Sequence, residues 1–274
     1  LPQVVYYISA YCDLVRDGAL AMGNKVNFCV PTGNFGDILA AYYAKRMGLP
    51  VNKLICASNS NNVLTDFLRT GIYDRNRPFH TTISPSMDIL ISSNLERLLF
   101  DLSGENDAEI QMYMDALGSA GRYQVSDNIK AKLDDAFWGG CCSEEETEET
   151  IRRYWQDHNY LIDPHTAVAY KVAEQLRGEN PVLIASTAHW AKFGENVYRA
   201  LHNLKPRENL PEQVASLSGC ELNELIADEA HCHNIPRGLA ELDSLPIRFS
   251  ETISGTTEAI EEAVDSFLLD KDAE

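Results

Sequence analysis

The sequence predicts an α/β fold built on a parallel, doubly wound sheet, and three observations carry that expectation. Short apolar strands recur at residues 25–30 (KVNFCV), 54–57 (LICA) and 181–185 (PVLIA). Each gives way to a polar turn, at 31–37, 58–62 and 186–189. Each turn then opens a segment of helical composition, at 38–47, 63–69 and 190–201. Strand, turn and helix repeated in this order form parallel sheets, because a parallel pair needs a crossover long enough to be a helix.

The remaining elements follow in chain order. Val4, Val5, Ile8, Tyr11, Cys12 and Val15 recur at helical spacing over residues 2–15, with Pro2 in the first turn, and Gly18 and Gly23 end the segment. Gly48 closes the 38–47 helix in the position that favours glycine. The middle of the chain is less regular. Residues 101–150 hold 13 acids against 3 bases. Within them Ser143 and Glu146 form a capping box for a helix running to about residue 157, so the acids read as a solvated face at a helix start. Asp163-Pro164 starts a helix to residue 176 with Asp as N-cap and Pro in the first turn. Helices at 221–232 and 256–269 follow, joined by a proline-containing stretch at 236–248. The expected division is an α/β domain over 1–205 and an acidic helical extension over 206–274.

Composition narrows the function. The 274 residues carry 23 Lys plus Arg and 41 Asp plus Glu, a formal charge of −18. That excess argues against nucleic acid and against anionic membrane surfaces, both of which demand a basic face. No apolar run approaches the ~18 residues of a spanning helix. Seven scattered cysteines do not form a disulfide framework, which suits a reducing, cytoplasmic setting. The chain opens at Leu1 rather than Met without a processed signal, and the expectation is a longer parent sequence.

The strongest chemical signal is 31–37, Pro-Thr-Gly-Asn-Phe-Gly-Asp, where a strand hands over to a helix. Gly33 and Gly36 would let the backbone approach a ligand and adopt positive φ, so that successive amides converge on an anion at the helix N-terminus. Asp37 would cap the helix or bond the loop amides. Neither the Gly-Lys-Ser/Thr of a nucleotide P-loop nor a third glycine at dinucleotide spacing is present. A plain glycine-rich turn remains the alternative. At 186–189, Ser-Thr-Ala-His ends a strand at the edge where open sheets bind ligands, and Lys192 follows one turn on. Helix capping by Ser186 or Thr187 is the alternative there. His165 reads chiefly as part of a packed helix start. Cys220, His231, Cys232 and His233 lack metal-site spacing and read as surface residues, and Cys141-Cys142 reads as an ordinary pair.

Residues 31–50 (PTGNFGDILAAYYAKRMGLP) resemble the phosphate loop and following helix of threonine synthases. Further segments resemble the same family in the same order: 57–59, 62–73 (NVLTDFLRTGIY), 84–90 (SPSMDIL), 92–100, 163–170 (DPHTAVAY) and 187–193 (TAHWAKF). The resemblance covers about residues 3–200. It implies most of the large domain of a tryptophan-synthase-β-like (fold type II) enzyme that uses pyridoxal 5′-phosphate to convert O-phosphohomoserine and water to threonine and phosphate. It implies that Gly33, Asn34, Phe35, Gly36 and Asp37 surround the cofactor phosphate and that Thr187 faces the pyridine nitrogen. His189 and Lys192 are implied as substrate contacts. Asn-Phe within the loop separates the sequence from cysteine synthases, dehydratases and tryptophan synthase, whose loops are richer in glycine or threonine. Two departures stand out. None of the nine lysines lies in the Phe-Lys-Asp context of the family's Schiff-base lysine, and Lys271 follows Asp270 in the acidic tail. Trp190 stands where the family pattern has proline, which would reshape the substrate side. Without the lysine the chain alone is expected to be inactive. Another fold-type-II lyase or dehydratase, and a non-catalytic binder of the cofactor or of a phosphorylated metabolite, are the rival readings.

Overall fold

The computed structural model describes residues 2–176, 178–248 and 250–271. Helix α1 (Val4–Arg16) leads into strand β1 (Val26–Pro31), helix α2 (Gly36–Arg46), strand β2 (Val51–Ser58) and helix α3 (Val63–Thr70). A short strand β3 (Ile72–Asp74) follows, then helices α4 (Leu95–Ser103) and α5 (Asp107–Ala120), strand β4 (Arg122–Gln124) and helix α6 (Asp127–Ala136). Strand β5 (Phe137–Cys141), helix α7 (Glu144–His158), helix α8 (Pro164–Gln175) and strand β6 (Val182–Ile184) complete the α/β part.

The main sheet is four-stranded and parallel in the order β5-β2-β1-β6. Side chains of alternate residues on a strand leave the sheet on opposite faces. Phe28, Val30, Leu54 and Cys56 accordingly join α1, α2 and α3 in one apolar cluster. Cys29, Ile55 and Ala57 point the other way, onto Val168, Ala169 and Val172 of α8. With both faces covered, nearly every residue of β1 and β2 is buried, as continuous apolar runs in parallel strands require. The doubly wound sheet expected from the sequence is therefore present.

The acidic middle is more regular than its sequence pattern shows. It holds α5, α6 and strand β4, which pairs antiparallel with β3 so that Tyr73 and Tyr123 stack at 5.4 Å with planes 1° apart. It also supplies the edge strand β5, despite Gly139 and Gly140 within it. Those glycines are spatial requirements. A Cβ on Gly139 would stand 3.1 Å from the Thr65 Cα of α3, and one on Gly140 would stand 2.6 Å from Val172 Cγ1 of α8. Two helices approach this strand closely, one from each face. The capping box at Ser143 is formed as expected, with Glu146 N donating to Ser143 Oγ at 3.2 Å and Ser143 N to Glu146 Oε2 at 3.0 Å.

Beyond β6 a 3-10 turn (Trp190–Phe193) leads into α9 (Gly194–Leu201), where one continuous helix was expected from the composition. Helices α10 (Glu212–Ala215), α11 (Gly219–Glu229), α12 (Arg237–Ala240) and α13 (Thr257–Lys271) follow. Ile151 of α7, Val197 of α9 and Leu222 and Ile226 of α11 share a second apolar cluster, at whose centre Trp190 is 1% exposed.

Glu148 lies at the α7–α9 contact, almost wholly buried, and its Oε1 has no hydrogen-bond partner. Burial, with Glu144 nearby, pushes its carboxyl up from 4.5 to about 7, against the pull of Arg199. The folded chain thus holds a proton that the unfolded chain releases, and stability falls as pH rises from about 4.5 to 7. Glu148→Gln is expected to stabilise the protein by ~2 kcal/mol at pH 8, with the gain shrinking below ~1 kcal/mol at pH 5. Urea unfolding at the two pH values reads this difference, and a variant that gains nothing at pH 8 would refute it.

Candidate functional site

The turn between β1 and α2 departs from the expected glycine geometry. Neither Gly33 nor Gly36 has positive φ; the left-handed residue is Phe35, at φ 63° and ψ 2°. A non-glycine in this region costs ~1–2 kcal/mol, and the cost is borne because the ring is locked in the core. Phe35 is 1% exposed and its ring lies 5.8 Å from that of Phe137 in β5. Gly33 is required for space, since a Cβ there would stand 2.4 Å from the Ser86 carbonyl oxygen. Gly36 meets only ordinary contacts, with Asn94 Nδ2 at 3.5 Å.

The loop is polarised by the segment preceding α4. Ser92 Oγ donates to the Gly33 carbonyl at 2.8 Å, and Asn94 donates to the Asn34 carbonyl through its backbone N at 3.1 Å and its Nδ2 at 2.8 Å. Ser92 is itself placed by Tyr73 of β3, whose hydroxyl accepts from Ser92 N at 2.9 Å and donates to the Leu90 carbonyl at 3.0 Å. With the carbonyls engaged, the amides of residues 33–37 have no acceptor among the described residues. All five residues line one cleft of about 330 Å³. Several free amides beside a helix N-terminus suit an anion.

Three further segments wall the cleft. Ser86 and Met87 come from the 80–88 loop, which a buried polar cluster holds. Asn59 Nδ2 donates to Thr82 Oγ1 (2.8 Å), Ser84 Oγ (3.0 Å) and Asp88 Oδ1 (2.8 Å), and Asn61 Nδ2 donates to the His80 carbonyl at 2.7 Å. His165, in the first turn of α8, lies in the cleft lining at 3% exposure. Thr187, Lys192 and Phe193 close the third side. Thr187 is solvent-exposed, and the Lys192 ammonium has no ion-pair partner among the described residues. The cleft continues into a groove of about 500 Å³ between α1 and β6, shared through Gln3, Asp37 and Thr187.

Several sequence expectations are corrected. Asp37 neither caps α2 nor bonds the loop amides; its Oδ1 accepts from the Tyr7 hydroxyl at 2.9 Å. Burial raises the Asp37 carboxyl above its ordinary range, partly offset by that hydrogen bond. Ser186 and Thr187 do not cap the following turn. His189 does, its Nδ1 accepting from Ala191 N at 3.2 Å. That places His189 outside the cleft lining, with its ring 5.4 Å from Trp190. Trp190 faces the C-terminal helices rather than the substrate side, with Nε1 donating to Asn234 Oδ1 at 3.4 Å. Cys220, His231, Cys232 and His233 form no metal-holding group among the described residues. Ser86, Ser92, Asn94 and Gln3 carry no chemical signature of their own, and only the resemblance of segments 84–90 and 92–100 pointed to the neighbourhood of the first three.

Comparison with known proteins gives consistent results. The family model described as threonine synthase, C-terminal, matches residues 166–240. The Homo sapiens protein named threonine synthase-like 1 is 47% identical over 216 residues, covering 78% of this chain and 29% of that protein. The solved yeast threonine synthase superposes with a TM-score of 0.78 at 32% identity, over 98% of this chain and 52% of its own. A threonine synthase from Brucella melitensis, described as PLP-bound, gives 0.68 at 38% identity, over 85% of this chain and 51% of its own. The chain therefore spans about half the length of these solved relatives and less of the human one.

Proposed function

The chain belongs to the threonine synthase family, and from that premise we propose that it supplies the pyridoxal 5′-phosphate cleft of a threonine synthase, acting on O-phosphohomoserine. The observation that carries this reading is the run of five acceptor-free amides at 33–37, opening on a cleft that also holds Thr187 and Lys192. The residues present fit the cofactor. The amides of Gly33, Asn34, Phe35, Gly36 and Asp37 suit a dianionic phosphate, and the missing Cβ at Gly33 keeps the loop against Ser86. When bound, the cofactor supplies an electron sink for bond changes at the substrate's α, β and γ carbons.

The chain's own residues would bind and orient. The Thr187 hydroxyl would donate to the pyridine nitrogen and, being neutral, would leave that nitrogen largely unprotonated. The Lys192 ammonium would meet the anionic phosphate ester or carboxylate of the substrate. His189 would contribute by holding the 190–193 turn through Ala191 N. The seven cysteines, all free, suit a reducing, cytoplasmic location. No described helix is long and apolar enough to cross a membrane. The relatives disfavour the dehydratase and non-catalytic readings.

Titration of the chain with pyridoxal 5′-phosphate, followed by absorbance and fluorescence, tests the reading. Saturable binding that inorganic phosphate competes away is expected, and binding indifferent to phosphate would refute the cradle. The reading also assigns no covalent role to the nine lysines of this chain. Borohydride reduction of the loaded chain and peptide mapping should find no stably labelled lysine. A stoichiometric label on Lys192 would overturn that assignment and the expected lack of turnover by the chain alone.

A further inference from the structure

Asp163 is the N-cap of α8, 1% exposed, and it touches neither the cleft nor solvent. It does more than cap. Its Oδ1 accepts from His165 N at 2.8 Å and Thr166 N at 3.4 Å, and also lies 3.0 Å from His165 Nδ1. Its Oδ2 accepts from the Thr166 hydroxyl. We propose that Asp163 is a positioning residue that sets two walls of the cofactor cleft at once, one through His165 and the other through Thr166. This inference rests on the cofactor reading above for its consequence in binding, but not for its geometry.

The proton inventory gives the argument its direction. An ionised carboxylate only accepts, so His165 Nδ1 facing it must carry the proton. Nε2 then keeps its lone pair and accepts from Ser86 N at 3.2 Å. The same residue, Ser86, presents its carbonyl to Gly33, where a Cβ would be 2.4 Å away. The His165 ring also lies 5.0 Å from that of Phe193. Thr166 has one hydroxyl proton, and it is donated in the hydrogen bond to Asp163 Oδ2. Its oxygen must therefore accept from Ser186 Oγ, 3.2 Å away and adjacent to Thr187. Burial alone would raise the Asp163 carboxyl, yet the hydrogen bonds from His165 and Thr166 hold it below its ordinary range.

Asparagine at 163 still caps a helix, but its amide offers one acceptor and a donor where four donors now converge. The amide nitrogen cannot accept the Thr166 hydroxyl proton, and without the carboxylate His165 is free to take the other tautomer, whose Nε2–H would oppose Ser86 N–H, so both links weaken.

The test reads the two walls separately by hydrogen exchange on the full chain. Thr166→Val is expected to raise exchange at residues 185–188 and leave 83–88 unchanged. His165→Leu should do the reverse, and Asp163→Asn should raise both, with the interior of α8 protected in all three. In pyridoxal 5′-phosphate titrations Asp163→Asn should weaken binding at least tenfold and shift the absorbance of the bound cofactor. Thr166→Ser, which keeps the hydroxyl, should match the unmodified chain. Exchange confined to the first turn of α8, with affinity within twofold, would overturn the proposal. Should Asp163→Asn fail to fold, the two single-wall variants decide, and should the unmodified chain bind no cofactor, the cofactor reading fails while the exchange pattern still judges this one.

Discussion

Gly33→Ala is expected to weaken pyridoxal 5′-phosphate binding by about 30-fold or more, roughly 2 kcal/mol. The added methyl would lie 2.4 Å from the Ser86 carbonyl oxygen, a backbone atom that cannot rotate aside. Relief requires moving either the 85–87 turn or the cradle itself. The turn is tethered at Ser86 N by His165, and the cradle carbonyl at residue 33 is tethered by Ser92. Overpacking at such a site costs ~1–3 kcal/mol, and here it falls on the loop proposed to hold the phosphate. Gly36→Ala is the control, because a Cβ there meets Asn94 at ordinary contact distance. Fluorescence titration of both variants reads the difference, and equal affinities would sink the argument.

Phe35→Ala should destabilise the fold by ~3–4 kcal/mol, the usual cost of emptying a large buried aromatic site. Phe35→Gly, which removes even more side chain, should be more stable than Phe35→Ala by about 1 kcal/mol. Glycine ordinarily loses to alanine, but at φ 63° alanine keeps the left-handed strain and glycine does not. Urea denaturation ranks the two. If alanine proves equal or better, Phe35 is not strained and the account of this turn is wrong.

Much of the sheet was legible because its signals are local. Strands β1 and β2, the helices that follow them, the Ser143 capping box and the Asp163-Pro164 start all appear as period, cap or breaker within a few residues. Strand β5 was illegible for a physical reason. Glycines are depleted from strands, yet Gly139 and Gly140 are there because Thr65 and Val172 press on the strand from opposite faces. The 31–37 turn stands between β1 and α2 as expected, but its backbone conformation was assigned by residue type. Tertiary packing of Phe35 against Phe137 places the left-handed conformation on a phenylalanine, which no propensity would select. Ser92 and Asn94 act at a separation of about 60 residues, through the backbone of the loop they hold. Their role depends on Tyr73 and the β3–β4 pair, which lie in a stretch without clear periodicity.

Trp190 ties the rim of the cleft to the far end of the chain. Its neighbours in sequence, Thr187 and Lys192, border the cleft, while its indole lies in the cluster formed by α7, α9 and α11. Removing α11 would strip cover from one of the largest fully buried side chains in the protein and slacken the turn that carries Lys192. The rim turn and the C-terminal helices are thus packed on one apolar cluster. The cleft is thus backed on that side by residues more than twenty positions downstream that do not line it.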